Sequence, residues 1–342
     1  MTRMKNLAIS YRSGTESGVF VAALLFIGMY LVLSLISPAA RSAYFLNNFA
    51  VLTTTLGIAA AGATLILITG GFDLSVAGVI SIGNVLAATQ MSQHPERVWI
   101  IAALIVVIGL MVGLVNGVFI AVLGLQSLAV TLGSYIILTG LALVILPAPG
   151  GSVPESFTAT LTGTVGPVPV AVLVLLAVAV FWMAFVRTRT GIAAFAIGAD
   201  AQAARMSGLR VRGVEVTCYG LAGMLYAMAG LYLSAVTASG DPQAGRPFLL
   251  TVFAAMALGL VSFRGGRGSA IAAIFGAATL TVIPKLLFAA SVGDFWVGAF
   301  QGAIILAALS LPVFGRRVSQ RFAPERRPLE EAAMYPSSSK VS

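Results

Sequence analysis

Residues 98–123 read VWIIAALIVVIGLMVGLVNGVFIAVL, 26 positions without one charged side chain. A helix rises 1.5 Å per residue, so about 20 apolar residues cross the ~30 Å hydrocarbon core of a bilayer. The stretch is long enough to cross, and much longer than the roughly 10 alternating residues of a membrane β-strand. Working outward, apolar runs of similar length recur along most of the chain. Upstream lie Gly18–Ile36, Ala50–Thr69 and a run from after Asp73 to Met91. Downstream lie Ser127–Leu146, Val168–Val186, Val214–Val236, Phe248–Val261, Ser269–Ala289 and Phe295–Phe314. The expected fold is an all-α integral membrane protein with about ten transmembrane helices.

Composition agrees. The 342 residues are 59% hydrophobic and only 9% charged, against roughly 25% charged in soluble domains. So few charges cannot cover a water-facing surface. The formal charge of +9 sits beside the apolar runs, where it reads as topology rather than nucleic-acid binding. A single cysteine, Cys218, excludes an internal disulfide and a multi-thiol metal site. A single histidine, His94, lies in a polar loop. Metal catalysis and Ser-His-Asp chemistry have almost no raw material, and an intramembrane enzyme is disfavoured. The first segment, 1–17, contains Arg3, Lys5 and Arg12 without an apolar core, so the run after it is expected to be a retained span.

Arginine placement sets the expected orientation. Arg187, Arg189, Arg205, Arg210 and Arg212 share one loop, Arg264 and Arg267 another, and Arg316, Arg317, Arg321, Arg326 and Arg327 the tail. With ten spans and an internal start, all three regions fall in the cytoplasm, as do both termini. Segment 1–17 is then a cytoplasmic lead, 18–314 the transmembrane domain, and 315–342 a tail expected to be partly disordered. Arg41, Arg97 and Arg246 fall outside, against the rule. Five spans per half is an odd number, so related halves would be inverted in the membrane.

Three polar interruptions stand out. Gly70-Gly71-Phe72-Asp73-Leu74-Ser75 joins the second and third helices, and Asp73 is the only carboxylate between Glu16 and Glu96. A glycine can end one helix and Asp73 can cap the next; direct contact with solute or ion is the other reading, with Gly70, Gly71, Asp73 and Ser75 as the residues concerned. An ion-coupled secondary transporter using Asp73 is the rival function. In the basic loop, Asp200 to Gly208 suits a short helix outside the membrane. Asp200 fits its first turn, Arg205 its last and Gly208 its end. It reads as a basic loop near anionic lipid or as a docking helix for a cytoplasmic partner, offering Asp200, Ala203, Ala204, Arg205, Ser207 and Gly208. Gly259, Gly265, Gly266 and Gly268, around Arg264 and Arg267, make a tight cytoplasmic turn; no Gly-Lys-Ser/Thr follows, so it is not a P-loop. Lys285, after Pro284, is expected to snorkel toward the outer interface.

These pieces, in this order, resemble the permease subunits of bacterial ATP-binding-cassette sugar importers of the ribose, xylose and galactoside type. The carriers are Gly70 to Ser75, Asn116-Gly117, Thr131-Leu132-Gly133, Arg187 to Gly191, Ala196 to Gly198, Ala203 to Gly208 and Gly259 to Ser269. The resemblance runs from about Leu46 to Leu309. Leu260 stands where the family usually has a second glycine, and the acidic residue common before the eighth span is absent. The resemblance implies a solute permease of the bacterial inner membrane with no cofactor of its own. A separate cytoplasmic ATPase would carry ATP and magnesium. A periplasmic solute-binding protein and a second permease, identical or sister, would complete the assembly. Asp200 to Gly208 would dock on the ATPase.

Overall fold

In the computed structural model the described residues are 2–293, 296, 298–300, 302, 303 and 306, with side chains from residue 18 onward. The expected tenth helix, Phe295–Phe314, and the tail 315–342 lie almost wholly outside them.

Helices dominate. They are α1 (Thr2–Ile36), α2 (Ala43–Leu67), α3 (Ser75–Gln93), α4 (Val98–Gly117) and α5 (Ser127–Ile145). After α6 (Glu155–Thr162) and a small hairpin of β1 (Thr164–Val165) and β2 (Val168–Pro169) comes α7 (Val170–Phe185). Then follow α8 (Arg189–Ala199), α9 (Ala201–Met206), α10 (Val211–Thr237), α11 (Phe248–Leu258) and α12 (Ala270–Ala289). Among the described residues seven helices are long and apolar enough to cross a membrane, and the bent pair α7–α8 makes an eighth. The chain is a multi-pass membrane protein.

Helix α1 continues back to Thr2, and the part of it long and apolar enough to cross a membrane is Gly18–Ile36. The glycine-rich stretch 147–167 holds the eight-residue α6, which the sequence reading passed over. The basic loop holds α8 as well as α9, and α8 turns from α7 by 78°.

Helices α2, α3 and α10 are mostly buried and form the centre, while α1, α4 and α5 lie around it with broad exposed apolar faces. On α4 and α5, Leu104, Met111, Ile136, Ile137 and Val144 are exposed, as suits side chains that meet lipid. Close approach inside comes from small residues. Gly109, Gly113 and Gly117 of α4 lie directly on the 216–223 backbone of α10, where a methyl at Gly113 would overlap the Tyr219 carbonyl. Lys285 lies 5.0 Å from the centre of the Phe45 ring, a cation–π contact beside its apolar stem.

The connection from α10 to α11 is not a surface loop. Gly240 and Gly150 exchange backbone hydrogen bonds of 2.8 and 2.9 Å beside Ala88. The Asn84 side chain then donates to the Ser239 carbonyl at 3.2 Å and accepts the Asp241 N–H at 2.7 Å. Ser81 Oγ accepts the Gly245 N–H at 3.0 Å, and Gly245 rests on the Ala77 carbonyl. The link therefore runs back along α3 from Ala88 to Ala77, about 16 Å at 1.5 Å per residue. Arg246, expected in an outer loop, lies on this link next to Gly245 and is exposed.

Candidate functional site

Three segments singled out separately in the sequence meet at one point. Helix α2 ends at Leu67, and Gly70 turns the chain in the left-handed region at φ +89°, where only glycine sits without steric cost. Beyond it, the Ile68 carbonyl accepts the N–H of Gly266 at 2.8 Å. Gly198, near the end of α8, is pressed against both groups, and a methyl there would overlap them. A methyl on Gly265 would lie 2.9 Å from Gly70 Cα and 3.0 Å from the Gly198 carbonyl oxygen. The end of α2, the end of α8 and the turn before α12 thus touch backbone to backbone. That turn is closed by a 3.0 Å hydrogen bond from Ser262 N–H to the Arg267 carbonyl.

Beyond Gly70 the chain builds a polar knot. Gly71 has no Cβ, and one would lie 2.8 Å from the Tyr219 hydroxyl oxygen; that hydroxyl donates to the Phe72 carbonyl at 3.1 Å. Asp73 Oδ1 accepts from Ser75 N–H at 2.8 Å and from the Ser75 hydroxyl at 2.6 Å. The residue at the cap position of α3 is Leu74, and the Asp73 carboxylate, one position earlier, accepts from the first residue of the helix. Asn116 donates to Ser75 Oγ at 3.2 Å and accepts from the Ser134 hydroxyl. Thr131 Oγ1 accepts the Leu74 N–H at 3.1 Å. Asn116-Gly117 and Thr131-Leu132-Gly133 enter the same site through Asn116 and Thr131.

Asp73 is 3% exposed. Burial pushes its carboxyl up to about 6, against the lowering effect of the two Ser75 hydrogen bonds. Among the described residues its Oδ2 and the Tyr226 hydroxyl are buried without hydrogen-bond partners. Among the described residues no group of His, Cys, Asp and Glu could hold a metal.

Helix α9 is capped at both ends. Asp200 Oδ1 accepts the N–H groups of Gln202 and Ala203, each at 2.9 Å, and Gly208 closes the far end at φ +81°. Arg205 lies in the last turn. One expected docking residue faces inward: Ala204 is 5% exposed and packs with Ile197 and Val211. At six residues the helix shows only part of its surface, and its small alanine face seats it on the protein. Ala203, Arg205, Ser207 and Gly208 are exposed. Met206, which the sequence reading did not single out, is 80% exposed.

Of the turn glycines, Gly259 packs on the α12 backbone at Ala272, and Gly265, Gly266 and Gly268 take positive φ. Leu260 also takes positive φ, +54°, a conformation a leucine adopts only at a cost.

Comparison with known proteins fits this arrangement. The autoinducer 2 import system permease protein LsrD of Klebsiella pneumoniae is 31% identical over 77% of this chain and 80% of its own length. The galactose/methyl galactoside import permease protein MglC of Haemophilus influenzae is 32% identical over 80% of this chain and 88% of its own. The ribose import permease protein RbsC of Escherichia coli is 29% identical over 83% of this chain and 91% of its own. No solved structure matches the chain. Residues 45–309, which span every part of the site above, match one family, described as the permease component of the branched-chain amino acid transport system, and the chain belongs to that family.

Proposed function

We propose that the chain is the membrane-spanning permease of an ATP-binding-cassette importer that brings a sugar or sugar-like solute into the cytoplasm. Relatives bearing the names of ribose, galactose and autoinducer 2 import permeases support the solute class. The observation that carries the mechanism is the backbone contact of Ile68 with Gly266, packed under Gly198. Helix α9 stands exposed at one end of α8, and the other contacts of α8 reach the start of the Asp73 knot. A cytoplasmic ATPase that binds α9 and changes shape on ATP binding would move α8 as a lever. The glycine contacts would pass that movement to α2 and α3. ATP then supplies the differential binding that shifts the spans between two states.

In this reading α9 and the Gly259–Gly268 turn face the cytoplasm of a bacterial inner membrane, as do both termini. ATP and magnesium belong to the ATPase, a periplasmic binding protein delivers solute, and a second permease, identical or sister, completes the pathway. Ten crossings fit if the α10–α11 link and α11 together make the eighth, α12 the ninth, and the expected Phe295–Phe314 helix, which lies almost wholly outside the described residues, the tenth. The two five-helix halves would then be inverted.

The buried, unpartnered Oδ2 of Asp73 favours one rival, an ion-coupled carrier. A proton relay, however, needs several ionisable groups along a route, and no other described carboxylate joins Asp73 in the knot. The test is uptake into proteoliposomes containing permease, ATPase and binding protein, with ATP on the ATPase side. Uptake should require ATP and survive an uncoupler. Uptake that proceeds without ATP, or stops with the uncoupler, overturns the proposal.

A further inference from the structure

The re-entrant link ends at the start of a short helix. Helix α11 has 11 residues, about 16 Å, or half of the ~30 Å core. Its first residue follows Gly245, which is tied to Ser81 rather than to the outer end of α3. The N-terminus of α11 therefore lies beside the first two turns of α3. The first N–H groups there, of Phe248 and Leu249, donate to the Gly245 and Arg246 carbonyls at 2.9 and 3.3 Å, and the positive end of the helix dipole, about half a charge, lies at this point.

A cavity of about 250 Å³ lies at this point, lined by Ser81, Tyr135, Thr139, Gln243 and Arg246. That volume equals roughly eight waters at ~30 Å³ each, room for a small polar solute. Every lining side chain is a hydrogen-bonding group. Ser81 is 1% exposed. Its oxygen accepts the Gly245 N–H, and among the described residues its own O–H has no acceptor. Among the described residues Thr139 Oγ1 is buried without a partner. Among the described residues no carboxylate lines the cavity; the Asp241 carboxylate accepts the Gln243 N–H at 2.8 Å. The cavity thus presents hydroxyl groups, one amide and one guanidinium, and Arg246 lies two residues before the start of α11.

Resting on the permease reading above, we propose that this cavity is a transit site for a small polyhydroxylated carboxylate, a sugar acid rather than a neutral sugar. The guanidinium offers a planar fork that matches a carboxylate at two points. One guanidinium and one helix end balance a single negative charge. The Ser81, Tyr135, Thr139 and Gln243 groups hydrogen-bond the solute's hydroxyls. Broken helices whose N-termini meet anionic solute groups at mid-membrane are a general solution for carriers.

The test uses purified permease in nanodiscs, without partners, and follows its thermal melt by tryptophan fluorescence. Sodium gluconate is titrated against glucose, with sodium chloride matching the ionic strength. Gluconate should bind roughly tenfold more tightly than glucose. Arg246→Gln should bring the ratio close to one, and Arg246→Lys should keep much of it. The ligand-free melt of each variant reports folding separately. Glucose binding as well as gluconate, or a preference that survives Arg246→Gln, overturns the proposal and leaves the permease reading standing. Binding of neither also overturns it, and the ATP-driven uptake measurement then judges the permease reading alone.

Discussion

The carbonyl of Ile68, just past α2, accepts the N–H of Gly266, in the turn before α12, at 2.8 Å, and Gly198 of α8 covers this hydrogen bond. Gly198→Ala places a methyl inside occupied space. We expect a loss of roughly 1–3 kcal/mol, the range for overpacking a tight interior, read as a lower melting temperature. Gly213→Ala, where a Cβ meets nothing within 4 Å, should have little effect. A normal melt for Gly198→Ala would show that the three segments are not held in contact.

Leu260 invites the opposite change. Its φ of +54° costs a leucine roughly 1–2 kcal/mol, and glycine is free of that cost. Leu260→Gly should raise stability by up to ~1 kcal/mol after the added entropy of the unfolded chain is subtracted. Its side chain is 43% exposed, so little packing is lost. A melting temperature below that of the parent would contradict this.

Among the described residues Asp73 accepts two hydrogen bonds through Oδ1 and none through Oδ2. Asparagine keeps the oxygen that accepts from Ser75, whereas leucine removes it. Asp73→Asn should therefore retain much of the transport at matched expression, and Asp73→Leu should lose most of it. The carboxyl titrates at about 6 in the fold, so an ion-coupled carrier would change its rate across pH 5–7 and lose that change in Asp73→Asn. Equal and complete loss in both variants would favour the ion-coupled rival.

On α9 the two alternative faces separate. Met206→Glu adds charge to an exposed position and should abolish stimulation of the ATPase with the melt unchanged. Ala204→Arg forces a long cation between Ile197 and Val211 and should lower the melt as well. Full stimulation with Met206→Glu would remove α9 from the docking surface.

Much of this was legible because its causes are local. The apolar runs gave nearly all the long helices, since crossing length and burial are properties of each run by itself. Asp200 and Gly208 bounded α9 because caps act within a few residues. The inward face of Ala204 was hidden, because a six-residue helix of alanines has no amphipathic pattern to read. So was α8, whose apolar residues lie in a loop defined by its arginines. The meeting of Gly70, Gly198 and Gly266 depends on contacts between distant segments, which no local pattern encodes. Arg246 was assigned to an outer loop by the count of spans, which says nothing of a link that folds back along α3. Ser81 and Asn84, polar positions midway along α3 that the sequence reading did not single out, are what hold the link there.

Those two side chains act as a ruler. Asn84 holds Ser239 and Asp241, Ser81 holds Gly245, and the spacing of the anchors on α3 is set by the helical turn. The ten residues between Thr237 and Phe248 therefore have a fixed length, unlike ordinary loops, which absorb insertions on the surface. One added residue would put every anchor out of register at once and shift α11 against its neighbours. Length variation among related chains should accordingly collect in the 147–167 stretch and the termini, and spare this segment.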